Sequence, residues 1–168
     1  MTAEQTLILG IGNTIQKDEG VGVLAVRALE SLLSDCPYLS FIDGGTIGFA
    51  LSPQVEAAKR LVVLDASKFR AQPGTVKVWH NEGIDELFRI RKGSVHELGL
   101  LDLLDMARLA GSLPQDRALV AVEPHTIEMG EGLTPAVEAA MPQILREVCQ
   151  LLDQWHGEGH LTKLDAAA

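Results

Sequence analysis

Three loops of this 168-residue chain carry side chains that could do chemistry. The first, Gly10-Ile11-Gly12-Asn13-Thr14-Ile15-Gln16-Lys17-Asp18-Glu19-Gly20, follows the apolar run at 6–10 and ends in two acids. The second begins at Asp65, directly after the apolar run at 60–64. The third is Ser94-Val95-His96-Glu97, at the start of an apolar helical pattern. A glutamate, an aspartate and a histidine from separate elements could converge on one point. Two carboxylates and one imidazole suit Ni²⁺ or Zn²⁺, with positions left open for water or substrate. Their spacing is too wide for a local metal motif. Each residue also has a plainer role. Asp18 or Glu19 could cap a helix and face its dipole, and Asp65 could cap the segment after its strand. Ser94 and Glu97 could form a capping box, leaving His96 in the first helical turn.

Other chemistries fit less well. Gly10-x-Gly12 begins like a dinucleotide fingerprint, but the third glycine would fall near Ile15. Asp18 and Glu19 would then stand where a pyrophosphate needs bare amides. Cys36 precedes Pro37 and Cys149 lies among apolar neighbours, so neither has a nucleophile's setting. G-x-S-x-G and the P-loop are both missing from the sequence. His80 ends a strand pattern, and His156 and His160 lie near the C-terminus. His125 follows a strand, but Pro124 before it favours a rigid turn.

The elements that must position these loops alternate. Strand-length apolar runs lie at 6–10, 39–42, 60–65 and 118–122, and the alternating run at 75–79 reads as a strand near an edge. Helical spacing covers 21–33, 49–59, 96–111 and a last helix that Thr134-Pro135 opens as N-cap and first residue, running to about Trp155. Pro53 is tolerable only in a first turn, and Pro142 should kink or divide the last helix. Strand followed by helix, repeated, predicts an α/β fold with a mostly parallel sheet covered by helices on both faces. In such sheets ligands bind beyond the carboxyl ends of the strands, where all three loops fall. The pattern predicts one domain over residues 1–156 and a flexible C-terminal tail over 157–168.

Composition narrows the class. The chain is 46% hydrophobic and 22% charged, which excludes disorder, collagen-like structure and a disulfide scaffold. A net charge of −9 makes nucleic acid and anionic membrane poor partners. The start has neither a basic segment nor a long apolar one, and no stretch reaches the roughly 20 apolar residues of a bilayer span. With two cysteines, the expectation is a cytoplasmic protein.

In sequence order the motifs resemble those of the hydrogenase maturation endopeptidases, which trim the C-terminus of the [NiFe]-hydrogenase large subunit. Leu9-Gly10-Ile11-Gly12-Asn13 and Asp18-Glu19-Gly20-Val21-Gly22-Val23 are similar to that family's opening signature. Asp43-Gly44-Gly45-Thr46 resembles its D-G-G-T loop, Leu64-Asp65-Ala66 its second acidic motif and Ser94-Val95-His96-Glu97 its histidine motif. Val122-Glu123-Pro124, Ile127-Glu128, Gly130 and Leu133-Thr134 are similar to its late segment. The resemblance spans roughly residues 6–152.

It implies a three-layer sandwich with a twisted, mostly parallel sheet between helices. It also implies that Glu19, Asp65 and His96 are metal ligands. The metal is nickel carried by the precursor, for which ions such as zinc or cadmium could stand in on the isolated protein. Asp43 is implied in substrate recognition and cleavage, so Asp43, Glu19 and Asp65 are the catalytic candidates. The implied activity is a single C-terminal cut in a nickel-loaded large-subunit precursor, by a monomer. With no nucleophile in place, hydrolysis would need an activated water. Two alternatives stand beside this: a non-catalytic chaperone holding the same precursor, and a nucleotide-binding α/β domain.

Overall fold

The computed structural model describes residues 5–46, 48–90, 95–157 and 159–168, with the side chains at 95, 96 and 98 outside the description. Among these residues five strands follow from the apolar and alternating runs. They are β1 (Thr6–Ile11), β2 (Leu39–Gly45), β3 (Arg60–Ala66), β4 (Val76–His80) and β5 (Asp116–Val122). Every residue of β1 is buried, as are all of β3 and β5 beyond their first, as expected of strands covered on both sides. The strand order is β2-β1-β3-β5-β4. The first four are parallel neighbours, and β4 runs antiparallel to β5 at one edge.

Among the described residues six helices cover this sheet: α1 (Val21–Leu33), α2 (Ser52–Ala57), α3 (Glu82–Ile90), α4 (Val95–Leu109), α5 (Pro135–His156) and α6 (His160–Ala167). Alternate strand residues divide the core. Ile8, Leu64 and Val120 pack on one face with Leu29, Ile144 and Val148 of α1 and α5. Leu9, Val63 and Leu119 pack on the other with Val55, Phe88 and Leu104 of α2, α3 and α4. The result is the three-layer α/β sandwich with a mostly parallel sheet.

Several expectations need correction. The 49–59 segment is a 3-10 turn, Phe49–Leu51, followed by the six residues of α2, with Pro53 in its first turn. α5 runs undivided through Pro142. Pro142 and Glu138, whose carbonyl loses its helical partner, are both exposed, so water can reach the vacated group.

The supposed flexible tail is also a helix over most of its length. Gly157, at φ 67°, ends α5 in the left-handed region and turns the chain into α6. There His160 is 1% exposed, its Nδ1 2.7 Å from Asp153 Oδ1 and its Nε2 3.0 Å from Tyr38 Oη. Leu161 and Leu164 pack against the core. Burial alone would raise the pKa of Asp153. The backbone and ring N–H groups of His160 and the amide of Leu161 outweigh it, holding the carboxyl below its ordinary value.

Candidate active site

The loop after β1 is shaped by close approach of backbone to backbone. A Cβ on Gly12, whose φ is +132°, would lie 1.8 Å from the carbonyl oxygen of Glu19. A Cβ on Gly22 would lie 2.1 Å from Leu64 O and 2.5 Å from Ile11 O. These glycines let the first turn of α1 seat directly on the carboxyl ends of β1 and β3. The 3-10 turn Lys17–Gly20 is thereby pressed against β3, with Glu19 only 6% exposed. Both glycines serve the packing of backbone on backbone.

Asp18 and Glu19 diverge in role. Asp18 is fully buried, and neither the 3-10 turn nor α1 has a side-chain cap. Its carboxylate instead accepts from the amides of His125, Thr126 and Thr134 at 2.8, 3.1 and 2.7 Å, and from the Thr134 hydroxyl. Burial would raise its pKa, but these donors hold it below the ordinary value. Asp18 thus pins the loop from β5 to α5 beneath the site.

Asp65 lies at the end of β3, 2% exposed. By strand alternation it faces the side of the sheet that α4 covers, with Leu61 and Val63. Ser67 connects the two elements. Its hydroxyl donates to Glu97 Oε1 of α4 at 2.8 Å and lies 3.5 Å from Asp65 Oδ2. Glu97 is 6% exposed, so the first turn of α4, which also holds the backbone of His96, is drawn to the mouth of β3. Ser94 and the His96 side chain lie outside the described residues. Among the described ones no group of three or more His, Cys, Asp or Glu is set to hold a metal.

Asp43 stands apart. It pairs with Gly10 across the β1–β2 ladder, and Gly10 pairs with Leu64 on the other side. Two strand spacings put the Asp43 and Leu64 backbones about 10 Å apart. Asp43 also faces the opposite side of the sheet from Asp65, toward α1, where its Oδ2 accepts from Arg27 at 2.8 Å. Its Oδ1 accepts from the amide of Gly45. Asp43 lines an open groove of about 280 Å³ with Gly12, Thr14, Arg27 and Thr46. Asp65, Ser67 and Glu97 are therefore brought together, Glu19 is packed over β3, and Asp43 borders the site one strand beyond β1.

A family model described as hydrogenase maturation protease matches residues 23–151. The chain belongs to the hydrogenase maturation protease family. It is 39% identical over 148 residues to the Hydrogenase 2 maturation protease of Escherichia coli (strain K12), spanning 87% of this chain and 89% of that one. It is 33% identical over 150 residues to the hydrogenase expression/formation protein HoxM of Cupriavidus necator, spanning 89% and 74%. Among solved structures, the hydrogenase maturating endopeptidase HybD from E. coli superposes with a TM-score of 0.83 at 34% identity, covering 90% of this chain and 94% of that one. The [NiFe] hydrogenase maturation protease HybD from Thermococcus kodakarensis gives 0.75 at 26% identity, covering 88% and 98%. This maturation protease is accordingly a peptidase, a hydrolase of peptide bonds.

Three residues that shape the site in this maturation protease do not stand out as site residues in the sequence. Glu123 is 7% exposed, and its Oε2 accepts from the amides of Phe69 and Ala71 at 2.6 and 3.3 Å, fixing the loop that carries Ser67. It follows an apolar strand as Asp65 does, so its position is a usable signal. Asp18 carries the same kind of signal in its neighbour Glu19. Ser67 carries none, because a serine after a strand is ordinary loop composition.

Proposed function

We propose that this protein removes the C-terminal extension of a nickel-loaded [NiFe]-hydrogenase large-subunit precursor by one specific cut in the cytoplasm. The observation that carries the reading is the burial of two acids, Glu19 and Asp65, at the carboxyl ends of β1 and β3, beside a helix whose first turn holds His96. Carboxylate oxygens gathered at the mouth of the sheet suit a cation delivered by the substrate. Nickel is then part of the substrate. Glu19, Asp65 and His96 are its proposed protein ligands, and only a precursor already loaded would dock correctly.

The proposed hydrolysis uses water. Cys36 and Cys149 are buried away from the site, and burial pushes the Cys149 thiol up to about 11. A carboxylate takes a proton from the attacking water, and the leaving amine receives one as the peptide bond breaks. Asp43, at the border of the site, is proposed to meet the precursor chain near the cut. The exposed side chains of Ile15, Ile127 and Met129 support a protein substrate. They rim the same mouth on two loops joined by Gly130 N to Ile15 O and Lys17 N to Gly130 O.

The test is the intact mass of a cognate nickel-loaded precursor before and after incubation. The expected result is one C-terminal loss, absent with nickel-free precursor and with His96→Ala. An unchanged mass with wild-type protein would overturn the proposal and leave a binding protein.

A further inference from the structure

Among the described residues β2 is an edge strand, paired only with β1. The phase of that parallel ladder follows from one bond, Thr6 N to Tyr38 O. It places the N–H and C=O groups of Thr6, Ile8 and Gly10 toward β2, bonding Ser40 and Ile42. Leu39, Phe41 and Asp43, their register partners, then turn their own groups away from β1. The Leu39 amide is spent on Cys36 O. Among the described residues no backbone group meets those of Phe41 and Asp43, which present amide and carbonyl to the outside of the sheet.

This edge lacks the usual protection. Lysines, prolines and bulges commonly block a strand edge. The opposite edge, β4, carries exposed Lys77 and His80. From Leu39 to Asp43 the β2 edge has no lysine, arginine or proline, and its ladder shifts register only beyond Asp43. A groove also flanks β2 on each face. One, of about 280 Å³, lies on the α1 side at Val23, Arg27 and Asp43. The other, of about 360 Å³, lies on the α2 side at Ser40, Ile42, Gln54 and Ala57. A strand laid against β2 would send alternate side chains into the two grooves.

We propose that an extended segment of the precursor adds to the outer edge of β2 as a sixth strand, which leads it past Asp43 into the site. This rests on the protease reading. Strand addition gives affinity through main-chain bonds and specificity through pockets for alternate side chains, and it suits a substrate that must present its backbone for cleavage. The ladder is short, so it sets direction and register while the rest of the precursor supplies the remaining affinity.

The decisive comparison is Phe41→Pro against Phe41→Ala. Proline removes the outward amide without touching the β1 ladder, because edge strands tolerate it where the N–H faces solvent. Alanine accounts for the lost side chain. With loaded precursor, Phe41→Pro should cleave about tenfold more slowly than Phe41→Ala. Equal rates would overturn strand addition while leaving the protease reading intact. An uncleaved precursor with wild-type protein would overturn both. Residue-resolved hydrogen exchange of the wild-type protein, sampled with loaded precursor before the cut, is independent of how the variants fold. The Phe41 and Asp43 amides should gain protection, while Ser40 and Ile42, already bonded, change little. Uniform protection, or none, would overturn the proposal.

Discussion

Glu19 and Asp65 are the buried acids proposed to meet the substrate's metal, whereas Asp18 is committed to four donors of the loop from β5 to α5. Glu19→Gln and Asp65→Asn should therefore abolish precursor cleavage while the protein stays folded, as should His96→Ala. Retained cleavage by any one variant, read as intact mass, removes that residue from the site. Thiol and serine-protease inhibitors should leave cleavage unchanged, since both cysteines are buried and Ser67 is engaged with Glu97.

Asp18→Asn should act on stability instead. An amide nitrogen would face donors where an acceptor is needed, at a cost of about 2–4 kcal/mol given the strength of hydrogen bonds to charged groups. The folded pKa of Asp18 lies below its unfolded value of about 3.8, so its contribution is present above that value and lost as pH falls through the folded one. Denaturant titrations of wild type and variant should differ fully at pH 7 and converge in strong acid. At this scale the acids were legible because Asp65 directly follows an apolar run, and Asp18 and Glu19 end the loop that follows another. Which acid was structural was not, because the donors to Asp18 come from residues more than a hundred positions away.

Element boundaries were most legible where periodicity ran up to a glycine or a Thr-Pro pair. The predicted helix over 21–33 matches α1 at both ends, and Thr134-Pro135 opens α5 as cap and first helical residue. Agreement failed where tertiary contacts decide. α3 does space Ile84, Leu87 and Phe88 helically, but over nine residues so short a set does not separate a helix from a loop that buries the same side chains. The antiparallel direction of β4 depends on its pairing with β5, which strand composition does not encode.

α6 is polar in sequence and is held by the buried His160–Asp153 contact, by Leu161 and Leu164, and by Lys163 to Asp35 and Arg146 to Asp165 at the surface. Surface pairs add little. Removing residues 157–168 should thus cost about 2–4 kcal/mol, mainly from lost apolar burial and an orphaned Asp153. Thermal unfolding should show a lower Tm. Cleavage should persist at temperatures where the truncated chain is folded, because α6 packs on α1 and α5, away from the mouth of β3. A truncated protein with unchanged Tm would mean that the docked helix contributes no net stability.

The whole molecule carries a net charge of −9, a total that includes the carboxylates of its site. A precursor approaching such a surface associates faster if its own docking face is basic, and steering of this kind acts on the encounter more than on the bound complex. Screening lengths fall from about 10 Å at 0.1 M salt to about 3 Å at 1 M. With precursor well below saturation, cleavage should slow by about tenfold or more over that range, as steered associations do. At saturating precursor the single-turnover rate should hardly change, because the proposed nickel docking and proton transfer follow the encounter that salt screens. Stopped reactions analysed by intact mass at both precursor levels separate the two regimes. A salt-independent rate at low precursor would mean that docking is carried by the apolar rim of Ile15, Ile127 and Met129. Substituting Met129, the most exposed of the three at 70%, with lysine should then weaken cleavage where salt does not.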